Sequence, residues 1–222
     1  MPETPRQLPL DLPVAARYGA EDFLVGPPNA AAHALVDRWP DWPDRVVLLV
    51  GPEGSGKTHL AAIWRERAGA LAIPAGTIDE AVFTEDDRDA VLVEDCDRGA
   101  LDEHGLFHLL NVMRAKGHAL LTARTLPGGW GLATPDLLSR LRLAPVAEMG
   151  APDDALLRAV LVKLFVDRQL VVDAGVIETL LLRMERSFAA AQRIVAALDR
   201  EALSRGRRIT RVMATAILQE MT

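Results

Sequence analysis

Residues 46–58 read Val46-Val47-Leu48-Leu49-Val50-Gly51-Pro52-Glu53-Gly54-Ser55-Gly56-Lys57-Thr58. The first five are valine or leucine without interruption, the pattern of a parallel strand buried on both faces. From Gly51 onward the chain fits G-x-x-x-x-G-K-[ST] at every fixed position. A helix-compatible stretch follows, His59-Leu60-Ala61-Ala62-Ile63-Trp64-Arg65-Glu66-Arg67. Strand, glycine loop and helix in that order suit an anion for a physical reason. Glycines let the chain wrap so that backbone N–H groups point inward, and the helix N-terminus adds partial positive charge. In such a loop the lysine, Lys57, reaches the β and γ phosphates and the Thr58 hydroxyl binds Mg²⁺. The expected ligand is ADP or ATP with Mg²⁺, held by Gly51, Glu53, Gly54, Ser55, Gly56, Lys57 and Thr58. A ligand-free glycine turn would need neither the strand nor the helix.

The rest of the composition bounds the answer. At 222 residues, half hydrophobic and a quarter charged, the chain can hold one compact α/β domain and a smaller one. A net charge of −6 argues against a broad electrostatic grip on nucleic acid. Arg205, Arg207, Arg208 and Arg211 form a local basic patch that reads equally as a solvated helix end. One cysteine, Cys96, excludes an intramolecular disulfide and a cysteine-built zinc site, and reads as a core filler. No apolar run approaches the ~20 residues of a membrane span, and the first residues lack the regions of a signal peptide. The expectation is a cytoplasmic protein without a membrane partner.

Outward from the loop, Ala70–Pro74 reads as a short strand, and Ala90-Val91-Leu92-Val93 as a buried one ending in Glu94-Asp95-Cys96-Asp97. Carboxylates at the C-terminal end of a parallel strand face the crevice where ligands bind, so Glu94 and Asp95 are candidates for the Mg²⁺ and for activating water. An amphipathic helix over 102–115 leads to His118-Ala119-Leu120-Leu121-Thr122, a strand with Thr122 at its polar end. A short helix over 135–142 presents Arg140 and Arg142, and 145–149 reads as the last strand. From 151 the pattern is helical, over about 152–169, 173–184, 187–205 and 210–221, with Asp173 and Thr210 as N-caps and Gly206 as a stop. Before the first strand, Asn29 reads as the N-cap of a helix from Ala30, and His33 as an ordinary helix-face residue. Residues 1–16 form a proline-rich extended peptide, 17–150 an α/β domain with a parallel sheet flanked by helices, and 151–222 a small helical lid. In the peptide, Gln7-Leu8-Pro9-Leu10-Asp11-Leu12 places Leu8, Leu10 and Leu12 on one side of an extended chain, as a groove-binding segment does.

A phosphate loop followed by a helical lid resembles the AAA+ ATPases, and the whole chain resembles their DnaA-related branch, in particular its Hda-type regulators. The segment Asp22-Phe23-Leu24-Val25-Gly26-Pro27-Pro28-Asn29 is similar to the one lining the family's adenine pocket, which implies contacts from Phe23 and Val25. The match from Gly51 to Leu60 adds His59. Leu137-Leu138-Ser139-Arg140-Leu141 resembles the segment carrying the arginine finger, implying that role for Arg140. Thr122 falls at a sensing position, and Ile194 through Ile217 is similar to the last lid helices. The Gln7–Leu12 peptide resembles the segment by which such regulators dock on the DNA polymerase III β sliding clamp, through Gln7, Leu8, Leu10 and Leu12.

Several positions depart from the family pattern. Glu94-Asp95 stands where Asp-Asp or Asp-Asn is usual, Arg124 where the family has an aspartate two positions after Thr122, and Leu143-Ala144 where Trp-Gly is usual. Ala189 stands at the place of a nucleotide-sensing arginine, with Arg186 and Arg193 one turn to either side. The resemblance implies a regulator that binds nucleotide, hydrolyses it weakly at best, and stimulates ATP hydrolysis by DnaA in trans while it meets DNA through the clamp. It leaves a homodimer open. A self-contained P-loop ATPase or kinase, and a DnaA-related loading or anchoring adaptor, fit parts of the same pattern.

Overall fold

The computed structural model describes residues 19–78 and 88–221. The Gln7–Leu12 peptide lies outside them. Contacts divide the chain into two compact units, one ending at Ala151 and one beginning at Pro152.

The first unit is built on a five-stranded sheet: β1 (Val46–Val50), β2 (Leu71–Pro74), β3 (Ala90–Glu94), β4 (His118–Ala123) and β5 (Val146–Glu148). Every pairing is parallel and the order is β2-β3-β4-β1-β5. All five residues of β1 are buried, because successive side chains enter opposite cores. Val46, Leu48 and Val50 join Val91, Val93, Ala119 and Leu121 on one face. That face is covered by Leu106, Leu109, Leu110 and Met113 of α3 (Glu103–Lys116) and by Leu137 and Leu141 of α4 (Pro135–Leu143). Val47 and Leu49 join Leu92 and Leu120 on the other face. There Ala32 and Val36 of α1 (Ala30–Asp37) and Leu60, Ala61 and Trp64 of α2 (Lys57–Ala68) complete the core. The uninterrupted apolar run at 46–50 follows from these two coverings.

The edges differ. β5 leaves Val146 and Glu148 exposed, and β2 ends in Pro74, whose missing N–H is tolerated at an edge. Beyond α1, Trp42 stacks on Trp64 at 5.3 Å and donates its indole N–H to the Val36 carbonyl, closing the start of the sheet. Asn29 stands at the N-cap position of α1, yet its side chain does not cap the helix. Its Oδ1 accepts from Gly26 N at 2.8 Å and its Nδ2 donates to the Leu24 carbonyl at 3.0 Å. The amide thus holds the entry segment 24–29 in place.

The second unit contains α5 (Asp154–Asp167), α6 (Ala174–Arg183), α7 (Phe188–Arg205) and α8 (Arg211–Glu220). Leu157, Leu161, Phe165, Val176, Leu180, Ala191, Ile194, Val195, Leu198 and Ala214 form its own core. Asp153, Ser187 and Thr210 accept capping bonds from Leu156, Ala190 and Met213. Asp173 occupies the cap position of α6 without a side-chain bond. In the basic patch, Arg205 pairs with Glu201 at 2.5 Å. No helix among the described residues is long and apolar enough to cross a membrane.

Candidate functional site

The loop leaves β1 at Gly51, whose backbone N–H donates to the Ala123 carbonyl of β4 at 3.2 Å. A Cβ at Gly51 would collide with the Met149 carbonyl, so only glycine fits between the exits of β1 and β5. Gly54 and Gly56 have φ of 75° and 95°, the left-handed backbone that turns the loop into the first residue of α2. The Lys57 ammonium lies along the inside of this turn and donates to the Gly51 and Pro52 carbonyls at 2.7 and 2.8 Å. Burial lowers its pKa, the charges of Asp95 and Asp97 oppose that, Arg124 adds to it, and Glu53 opposes it again. The Ser55 hydroxyl is buried without a hydrogen-bond partner, and the Thr58 side chain lies in an exposed position. A buried ammonium on loop carbonyls, an unpartnered hydroxyl and left-handed glycines fit a phosphate chain, for which Lys57 and the loop N–H groups would be the holders.

The exits of β3 and β4 are tied to each other twice. Asp95 adopts φ 55°, unusual for a residue with a side chain. That turn is fixed because the Thr122 hydroxyl accepts from Asp95 N at 2.9 Å and the Thr122 carbonyl from Cys96 N at 2.8 Å. In return, Asp97 Oδ2 accepts from Arg124 N and Thr125 N, both at 2.8 Å, and from the Thr125 hydroxyl at 3.0 Å. Burial raises the Asp97 pKa, but these bonds together outweigh it and hold the carboxyl below its usual value. Thr122 thus fixes the backbone of Asp95 and Cys96, and Asp97, to which the sequence assigns no role, positions the end of β4.

The Asp97 ties carry a pH consequence. A depressed folded pKa stabilises the protein above the ordinary value of 3.8, and the contribution disappears as pH falls through the folded value. Asp97→Asn is therefore expected to lower urea-unfolding stability at neutral pH and to flatten its fall below about pH 4. A wild-type slope in the variant would contradict this.

Glu94 ends β3 half-buried; burial, then the charge of Asp95, raises its pKa, and Arg65 opposes both. Asp95 pairs with Arg98 at 3.3 Å. Among the described residues no cluster of three acids, histidines or cysteines could cage a metal. Mg²⁺ does not require one, since it takes one or two carboxylates together with phosphate oxygens and water. Glu94, Asp95 and Thr58 are the residues that would serve. Cys96 is buried beside them, with its thiol pKa pushed up by burial, which leaves it no nucleophile's role.

Phe23 and His59 also come together, edge to face at 5.3 Å, and Phe23 stacks on His33 at 5.6 Å. The His59 ring nitrogen lies 3.0 Å from the Gly19 carbonyl. His33, read as an ordinary helix-face residue, is therefore part of the aromatic group beside the start of α2. Val25 in the same segment is half exposed. Arg140 stands on α4 with its guanidinium 4.3 Å over the Phe107 ring, bonded to the Asn111 side chain of α3. In the second unit Ala189 is exposed, Arg186 pairs with Asp154 at 2.8 Å and Arg193 with Glu185 at 3.5 Å.

Domain III of the replication initiation protein DnaA from Thermotoga maritima superposes with a TM-score of 0.77 at 18% identity, over 94% of this chain and 98% of that one. The chain has a DnaA-like AAA+ fold. The AMPPCP-bound DnaA from Aquifex aeolicus follows with a TM-score of 0.70 at 19% identity, over 82% of this chain and 65% of that one. The RuvB Holliday junction branch migration motor of Thermotoga maritima gives 0.66 at 18% identity, over 86% and 65%. No protein-family model and no curated protein sequence matches the chain.

Proposed function

We propose that this chain is a nucleotide-binding regulator of replication initiation, of the Hda type, which promotes ATP hydrolysis by DnaA while held on the DNA polymerase III β clamp. The observation that carries the reading is the coincidence of a DnaA-like AAA+ fold with an intact phosphate loop, in which buried Lys57 lines the cradle beside Asp95. ADP or ATP, with Mg²⁺ at Thr58, Glu94 and Asp95, would supply a polyanion around which the loop is organised. Phe23 and His59 offer an aromatic surface near the start of α2, suited to a base.

Arg140 supplies the trans chemistry. A guanidinium brought to a neighbouring ATP stabilises the charge that builds on the transferring phosphoryl group, an effect of about 10³–10⁵ in rate. Regulation then requires no hydrolysis by this chain itself. Gln7, Leu8, Leu10 and Leu12 would hold the clamp as an extended peptide with alternating apolar anchors, so DNA is met indirectly.

A pull-down on immobilised clamp tests the docking half. Leu10→Ala with Leu12→Ala is expected to reduce retention at least tenfold, from the loss of two buried leucines at roughly 1.5–3 kcal/mol each, and to leave nucleotide binding unchanged. Retention at the wild-type level would remove the clamp from the account.

A further inference from the structure

Arg124 immediately follows Ala123, the residue whose carbonyl receives the first N–H of the phosphate loop and which pairs in register with Val50. Its backbone is pinned at that place by Asp97 Oδ2. From there its guanidinium reaches across to the loop and pairs with Glu53 Oε2 at 2.5 Å. Both side chains lie close enough to Lys57 for the ammonium to feel their charges. A second cation thus stands at the mouth of the cradle, already holding a carboxylate oxygen.

We propose that Arg124 is a second phosphate-binding cation of this loop, acting in cis, and that Glu53 is the anion it gives up when a nucleoside di- or triphosphate enters. The proposal rests on the nucleotide reading above and names a residue outside the phosphate-loop pattern. One observation and two general arguments favour exchange over a permanent clasp. The Glu53 side chain is 67% exposed, so its carboxylate regains water on release. An ion pair with one partner in water, the other 34% exposed, contributes little net stability. A phosphate chain carries more charge than one carboxylate and suits the planar fork of an arginine, which binds two oxygens side by side.

Exchange and clasp predict opposite signs. Binding of ATP, ADP and adenosine to the full chain would be measured by calorimetry for wild type, Arg124→Gln and Glu53→Gln. Exchange predicts that Arg124→Gln weakens ATP and ADP about tenfold, which is ~1.4 kcal/mol, with adenosine unaffected. It predicts that Glu53→Gln tightens both nucleotides, by roughly two- to fivefold, because the competing carboxylate is gone. Weakening in both variants would make the pair a structural clasp and overturn the proposal, as would wild-type affinity in Arg124→Gln. Should Arg124→Gln not fold, Arg124→Lys, which keeps the charge without the fork, is read instead and is expected to fall between the two. A wild-type chain that binds neither ATP nor ADP would instead remove the nucleotide reading on which the proposal stands.

Discussion

Replacing Arg140 with alanine is expected to lower the stimulation of DnaA-bound ATP hydrolysis by about 10³-fold or more, with clamp retention and nucleotide affinity unchanged. The size follows from where the charge acts. A trans guanidinium contributes roughly 4–7 kcal/mol of transition-state stabilisation in a site that excludes water. In the free chain the group rests over Phe107 and on Asn111. A cation–π contact at a partly exposed ring is worth about 0.5–1 kcal/mol and a hydrogen bond to a charged group about 1.5–3. The sum is smaller than the gain at a developing phosphoryl charge, so the side chain can leave its resting place. Arg140→Lys keeps a charge but lacks the planar fork and is expected to lose most of the stimulation. The Arg140 guanidinium also covers the Phe107 ring, so melting of the ligand-free variants is the control for lost packing. Undiminished stimulation by Arg140→Ala would remove the finger from α4.

The second large effect concerns Lys57. Lys57→Ala is expected to weaken ATP and ADP by about a hundredfold or more, since charge-assisted bonds to phosphate oxygens contribute roughly 1.5–3 kcal/mol each. The ligand-free protein should lose stability as well. The Gly51 and Pro52 carbonyls accept from this ammonium, and the substitution leaves them to water or unpaired. Thermal melting separates the two effects. Wild type gains about 2.7 kcal/mol at a ligand concentration a hundred times Kd, whereas Lys57→Ala, bound about a hundredfold more weakly, gains about 0.4 kcal/mol or less at the same concentration. An equal ligand-induced shift in both proteins would contradict the placement of the phosphates against Lys57.

Much of the architecture is legible in the sequence. Val46–Val50 is apolar at every position because two cores meet at β1, and the glycine loop that follows allows few other uses. The helices of the second unit announce themselves by apolar spacing and by a stop at Gly206. Less legible were interactions between positions far apart in the chain. Nothing local in Asp97 says that it will bind the backbone of Arg124 and Thr125, because that bond exists only once β3 and β4 lie side by side. The same holds for Glu53 and Arg124, joined across the exits of β1 and β4. Asn29 illustrates a different limit. Its type and place suit an N-cap, yet Gly26 N and the Leu24 carbonyl compete for the amide and win. Arg140 was legible as an arginine on a short helix, but its seat on Phe107 and Asn111 depends on how α3 and α4 share one face of the sheet.

The departures from the family pattern acquire physical content in the same way. Arg124 in place of an acid puts a cation beside Lys57. Glu94 has its carboxyl pushed toward the neutral form by burial and by the charge of Asp95.

The most direct test of this account is the rate at which ATP bound to DnaA is hydrolysed on clamp-loaded DNA, with and without this chain and its nucleotide. The account predicts a large acceleration that requires Arg140 and the clamp, while the chain alone turns over little ATP with or without nucleoside monophosphates. No acceleration of DnaA, or robust turnover by the isolated chain, would contradict it.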